Sequence, residues 1–210
     1  MIVQNRPGSP PFVKSLVRAN DECRFALTYL WDVTVPVLPW IMLNPSHAGT
    51  RSETDPTARR IIAFSYRWGF GGALLLNPIP CIEPDPKRVI DWLDFEAGQR
   101  WDRRDALWEN WSVMAEELAV HDFAMAAWGN SLSRRMPIDG YEFDVILENA
   151  FNTINDPDGA RIRTLDLYCL GLNGDGTPKH PMARGRHRVP DDARPVRFEN
   201  PGSIGIGEAA

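Results

Sequence analysis

The stretch VPVLPWIMLNPSHAGTRSETDPTARRIIAFSYRWGF, residues 35–70, decides the fold. Its first nine residues are almost wholly apolar. A strand with no polar alternation is buried on both faces, as at the centre of a parallel sheet. Proline has no N–H to give a ladder, so Pro39 counts against the early part of the run and predicts a buried strand over Trp40–Leu43, or one a residue or two longer. The twelve-residue loop NPSHAGTRSETD follows. Asp55-Pro56 then reads as a helix N-cap with proline at the first helical position. The helix TARRIIAFSYRWGF sets Ile61, Ile62, Ser65 and Trp68 near one face, and Gly69 or the pair Gly71/Gly72 stops it.

Outward from this unit the same grammar repeats. Upstream, CRFALTYLWD from Cys23 is an entry strand rich in β-branched and aromatic residues. Downstream, further apolar strands are predicted over Ala73–Pro78, Phe123–Trp128 and Leu165–Leu170. Between them lie a helix after the second cap-plus-proline pair, Asp85-Pro86, one over Glu96–Leu118 and one over Tyr141–Asn152. The sum is an α/β fold: a three-layer α/β/α sandwich with a central four-stranded, mainly parallel sheet plus an N-terminal antiparallel strand. Residues 1–20 read as a loosely ordered lead-in, 21–189 as a single domain, and the Pro/Gly/acid-rich segment 190–210 as a disordered tail.

Composition removes several function classes. An apolar fraction of 43% and a charged fraction of 24% over 210 residues are globular values. No run of 18 apolar residues spans a membrane, and MIVQNRPGSPPF lacks the apolar core of a signal peptide, so a cytoplasmic protein without a membrane partner is expected. Cys23, Cys81 and Cys169 are far apart with no CxxC, which speaks against a disulfide framework, structural zinc or a four-thiolate cluster. Neither metal nor cofactor is expected, and the chain is read as a monomer. There is no P-loop, GxSxG, HExxH or strand-borne GxGxxG. The net charge of −5 argues against a nucleic-acid partner, yet 20 of the 23 basic residues are arginine. That bias reflects either genome composition or phosphate recognition.

Ligands of open parallel sheets bind beyond the carboxyl ends of the strands. Four segments leave those ends. Asn44-Pro45-Ser46 is either an Asx-type turn or a water-holding amide, and the length of its loop favours function. In the same loop His47 and Glu53 are further polar candidates, and Asp55 is a cap, a general base or a charge stabiliser. Asn77-Pro78 and Trp128-Gly129-Asn130 are turns or pocket walls. Lys179-His180-Pro181-Met182 projects from a Gly-rich turn, and residues 179–188 carry four formal positive charges with no acid. They form either a solvated run or a phosphate-binding rim.

In order, Leu43-Asn44-Pro45-Ser46, Asp55-Pro56-Thr57 with Arg60, Trp68-Gly69, Asn77, Ala127-Trp128-Gly129, Tyr168-Cys169-Leu170-Gly171 and Gly176–Pro181 resemble a family of bacterial and phage proteins catalogued as a domain of unknown function. That family is similar, more distantly, to the uracil-DNA glycosylase superfamily. In those enzymes a water-positioning motif follows the first core strand and a His-Pro motif follows the last. Here Leu43-Asn44-Pro45-Ser46 and His180-Pro181 stand in those places. Met42-Leu43 replaces the first motif's glycine, and Met182 replaces the serine after His-Pro.

The resemblance implies a uracil-DNA-glycosylase-like fold and a monofunctional DNA glycosylase. Such an enzyme hydrolyses the N-glycosidic bond of a base flipped out of duplex DNA. Asn44 would position the water, His180 would hydrogen-bond the departing base or a phosphate, and Asp55 is the reserve candidate for cation stabilisation. Pro45, Ser46, His47, Asn77, Trp128 and Asn130 would line the base site. Lys179, Arg184, Arg186 and Arg188 would hold the backbone, with Met182 as an apolar wedge. Glucosylated hydroxymethylcytosine of phage DNA is the specific substrate expected, in anti-phage defence. Uracil or mismatch repair, a non-catalytic reader of modified DNA, and a free nucleotide or nucleoside hydrolase are the alternatives.

Overall fold

A computed structural model describes residues 8–11, 13–48, 54–94, 100–130, 143–155 and 165–199. Among the described residues seven strands form one sheet: β1 (Lys14–Ala19), β2 (Arg24–Leu30), β3 (Val37–Ile41), β4 (Gly72–Leu76), β5 (Phe123–Ala126), β6 (Asp166–Cys169) and β7 (Val196–Arg197). Their order is β1-β2-β4-β3-β5-β6-β7. The central four, β4-β3-β5-β6, are mutually parallel, and β1, β2 and β7 add antiparallel strands at the two edges. The fold is thus a mixed α/β architecture with a mostly parallel centre.

The helices α1 (Pro56–Arg67), α2 (Pro86–Leu93), α3 (Trp101–Leu118) and α4 (Phe143–Asn155) connect the parallel strands. Alternate residues of each central strand feed two cores. Ile41, Leu74, Leu76, Ala124, Ala126, Leu167 and Cys169 join side chains of α2, α3 and α4 on one face. Trp40, Ala73, Leu75, Met125, Ala127 and Leu170 join α1 on the other. The chain steps from β3 to β4 in one direction and then crosses back over β3 to β5. Right-handed crossovers of opposite direction must use opposite faces, which is why α1 has one face to itself.

Asp55 caps α1 as its sequence predicts, its Oδ1 accepting from Ala58 N–H at 2.7 Å. Trp40, Phe64 and Trp68 stack with centroids 5.2–6.3 Å apart, and the Trp40 indole N–H donates to the buried Ser65 hydroxyl at 2.9 Å. The serine on the inner face of α1 therefore satisfies the one polar atom of the tryptophan it packs against. Gly69, at φ 90°, ends that turn of chain.

Three expectations are corrected. First, β3 begins at Val37 and contains Pro39. Met42 N–H donates to β4 and Ala127 N–H to the Ile41 carbonyl, so odd-numbered positions of β3 face β5. The pairing of β3 with β5 starts only at Trp40, and the missing N–H of Pro39 costs no ladder bond. Second, the lead-in is not loose throughout. Residues 14–19 form the edge strand β1, exposed along its length and paired with β2 from Lys14↔Leu30 to Ala19↔Arg24. Third, the segment after Pro190 is structured as far as residue 199. Phe198 is 5% exposed, Val196 pairs with Cys169, and the Ala193 carbonyl accepts from the Trp68 indole. One buried aromatic anchors a segment whose composition reads as unstructured. Residues 200–210, like Glu53, Glu96 and residues 131–135, lie outside the described residues.

Candidate functional site

The carboxyl ends of β3, β4 and β6 converge on a cavity of about 220 Å³. Asn44 and Ser46 come from the chain leaving β3, Asp55 from the cap of α1, Asn77 from the end of β4 and His180 from the segment after β6. Because β2 runs antiparallel to β4, its first residue, Arg24, reaches the same end and also lines the cavity.

Each side chain is held by a traceable bond. The Asn44 amide nitrogen donates to the carbonyls of Glu83, Cys81 and Pro45 at 2.5–3.4 Å. Three acceptors fix which end of the amide is nitrogen, and Oδ1 is left without a partner among the described residues. The Ser46 hydroxyl donates to Asp55 Oδ2. With Ala58 N–H on its other oxygen, the Asp55 carboxylate is held at both ends. Each oxygen retains lone-pair capacity for a further donor.

His180 is the most constrained of the group. Burial pushes its pKa down to about 4, against a smaller opposing pull from Asp55, so the ring is neutral at pH 7. Met182 N–H donates to Nδ1 at 3.0 Å. The neutral ring's proton is therefore on Nε2, which leaves the imidazole as a hydrogen-bond donor. Its position depends on Gly129. At φ 81° a Cβ there would lie 3.0 Å from the Cβ of His180. The end of β5 and the His-Pro segment can approach only because that residue has no side chain.

Arg24 was not among the residues the sequence singles out. It is 3% exposed, donating through its terminal nitrogens to the Ala48 carbonyl at 2.9 Å and to Asn77 Oδ1 at 3.0 Å. Burial lowers its pKa to about 10, which leaves it charged at neutral pH. The available signal was a cation inside the apolar run CRFALTYL. A buried charge that cannot reach water must be held by something specific. Asn77 is itself seated by Asn110, a fully buried amide on α3 that donates to the Asn77 and Pro78 carbonyls at 2.7 and 3.2 Å.

Other expected positions fall elsewhere. Trp128 is 4% exposed and packs against Phe151 and Phe198, so it is a core residue and not a wall of the base site. Pro45 is buried, with its carbonyl accepting from Glu83 N–H, and neither Pro45 nor His47 lines the cavity. A second cavity, of about 510 Å³, adjoins the first through His180 and is lined by Asn130, Asn173, Asp175, Arg184, Arg186 and His187. Lys179, Met182 and Arg188 line neither. Met182 is half-buried, and its backbone, rather than its side chain, makes the contact described above. Arg184 and Arg188 are exposed and make no ion pair among the described residues, whereas Arg186 donates to His187 Nε2 at 3.1 Å.

Among the described residues no helix is long and apolar enough to cross a membrane. The family described as "Protein of unknown function (DUF1643)" matches residues 24–182, a span that contains every residue lining the smaller cavity. No curated protein and no solved structure matches the chain.

Proposed function

Since the chain belongs to this DUF1643 family of unknown function, we propose from its site that it is a DNA glycosylase. It hydrolyses the N-glycosidic bond of a base flipped out of duplex DNA and leaves an abasic site. One observation carries the reading: an open amide oxygen (Asn44), a fixed carboxylate (Asp55) and a neutral imidazole donor (His180) line one cavity at the carboxyl ends of parallel strands.

Glycosidic cleavage passes through an oxocarbenium-like state. Three provisions lower that barrier: a held water, a donor for the leaving base and negative charge near the sugar. Asn44 Oδ1 accepts from the water and orients its lone pair toward C1′. As the C1′–N bond breaks, its electron pair leaves with the base, whose growing negative charge is met by the Nε2–H of His180. A flanking phosphate is the other acceptor in reach of that donor. The Asp55 carboxylate offsets the sugar's positive charge. Water oxygen bonds to C1′, its proton passes to solvent by way of the carboxylate, and the departed base takes a proton from solvent. Arg184, Arg186 and Arg188 supply charge for the DNA backbone beside the cavity.

This reading agrees with the distant resemblance to the uracil-DNA glycosylase superfamily, in which the same two strand ends carry the water and His-Pro motifs. The finer proposal is that the substrate is glucosylated hydroxymethylcytosine of phage DNA. The test is incubation of the pure protein with modified and unmodified duplexes, followed by alkali. Strand breaks confined to modified DNA, and abolished by Asn44→Ala, are expected. No breaks on any duplex that the protein binds would refute the enzymatic reading.

A further inference from the structure

Two of the three cysteines, remote in the sequence, face each other in the fold. Beyond Leu27↔Leu75, at the end of the β2–β4 ladder, antiparallel pairing resumes with Cys23 opposite Cys81. Arg24 N–H donates to the Pro80 carbonyl and Ile82 N–H to the Glu22 carbonyl, both at 2.9 Å. Those bonds belong to the residues on either side, so Cys23 and Cys81 are a non-hydrogen-bonded pair. Such pairs have Cα atoms about 4.5 Å apart, within the roughly 4.4–6.8 Å that a disulfide spans. Directly opposed residues of a ladder project to the same face. Both side chains enter the core shared with α2 and α3, at 2% and 6% exposure. Cys169 has no such neighbour. On β6 it pairs with Ala126 and Val196, and β3 and β5 separate it from β4. The opposed pair also stands where the cavity is built. Arg24, next to Cys23, lines that cavity, and the Cys81 carbonyl accepts from the Asn44 amide at 3.4 Å.

We propose that Cys23 and Cys81 form a dithiol–disulfide redox site whose bridge clamps the ladder end that seats Asn44. The oxidant is a small disulfide such as oxidised glutathione. One cysteine thiolate attacks it, forming a mixed disulfide and releasing one glutathione thiolate. The second cysteine attacks the bonded protein sulfur and releases the other. Each cysteine gives its proton to solvent, and each departing glutathione thiolate takes one up. Two protein thiols are thereby oxidised to one disulfide, and one glutathione disulfide is reduced to two thiols. Burial is the main cause that keeps both thiols protonated in the fold, so exchange proceeds while the ladder end is open. The loop that the bridge closes contains β2, β3, α1 and β4 whole. Closing it removes freedom from the unfolded chain and favours the fold.

The experiment refolds the full reduced chain from urea in glutathione buffers of graded ratio. Exchange is quenched with acid, and the bonds are mapped by mass spectrometry of unreduced peptides. A single Cys23–Cys81 bridge is expected, with Cys169 left as a thiol and with native tryptophan fluorescence. The equilibrium constant for bridging should be at least about tenfold larger in the fold than in urea. Hydrogen exchange reads the clamp. The Arg24 and Ile82 amides should exchange at least about tenfold more slowly in the bridged chain than in the reduced one. A bridge to Cys169, mixed disulfides with glutathione in its place, a constant no larger than in urea, or loss of native fluorescence on bridging overturns the redox site. Unchanged exchange at Arg24 and Ile82 overturns the clamp.

Discussion

Acidification should destabilise this protein through His180 before its carboxylates are reached. The ring's pKa is about 6.5 in an unfolded chain and about 4 in the fold, where burial disfavours the imidazolium. Between those values the unfolded state binds more protons, so stability is fully present above pH 6.5 and falls as pH drops toward 4. At pH 5 the shift multiplies the unfolding constant by about thirty, or about 2 kcal/mol, and near pH 4 by about 3 kcal/mol. That is a large share of the roughly 5–15 kcal/mol that holds a domain together. His180→Asn keeps an acceptor for Met182 N–H and removes the titration. Urea unfolding at pH 7.5, 6 and 5, followed by the fluorescence of the eight tryptophans, reads the effect. The parent should lose about 2 kcal/mol more than the variant between pH 7.5 and 5. Equal losses would show that His180 is not held neutral by its surroundings, and the donor role assigned to Nε2–H would fall with it.

Other outcomes follow from the same geometry. Gly129→Ala combines a positive φ with a Cβ 3.0 Å from His180, so it should cost about 1–2 kcal/mol in melting experiments and weaken any ligand held by His180. Asn110→Leu strips the Asn77 carbonyl of its buried donor; a loss of about 1–3 kcal/mol is expected, and an unchanged melting temperature would contradict the bond. Cys23 and Cys81 are pushed up to about 12 by burial, with nearby Glu22 and Glu83 contributing, so neither should be alkylated at pH 8 until urea is added. Rapid labelling of the native chain would show that the thiols are open to solvent. Replacing Arg184 and Arg188 by Gln should weaken duplex binding and flatten its dependence on log salt by about one unit for each phosphate left without its arginine. An unchanged slope would remove the arginines from the DNA interface.

Much of the parallel core was legible because its cues are local. An apolar run without alternation, an Asp-Pro cap and a glycine stop act within a few residues, and β3, α1 and β4 follow from them with only the ends displaced. The two edges were not legible. Lys14–Ala19 is exposed on every residue and becomes a strand only by pairing with β2. Val196–Arg197 is held against β6 by backbone pairing, an Arg197–Asp166 ion pair at 2.9 Å and the buried Phe198. Trp128 misled for a related reason. A tryptophan at a strand end suits a stacking surface or a core equally, and only its neighbours Phe151 and Phe198 decide.

By itself the sequence determined that strands of one direction would deliver Asn44, Asn77 and His180 to one end of a sheet, since crossover helices return each strand in register with the last. The tertiary structure alone decided how those residues are used. An amide pinned by three carbonyls, an imidazole whose proton is placed by a backbone N–H, and a guanidinium that occupies the asparagine oxygen all depend on partners 1 to 53 residues away. Arg24 shows the difference most plainly. In the sequence it is one of 20 arginines. In the fold an antiparallel strand carries it to the cavity end of the sheet, where the buried cation is held by the Ala48 carbonyl and Asn77 Oδ1.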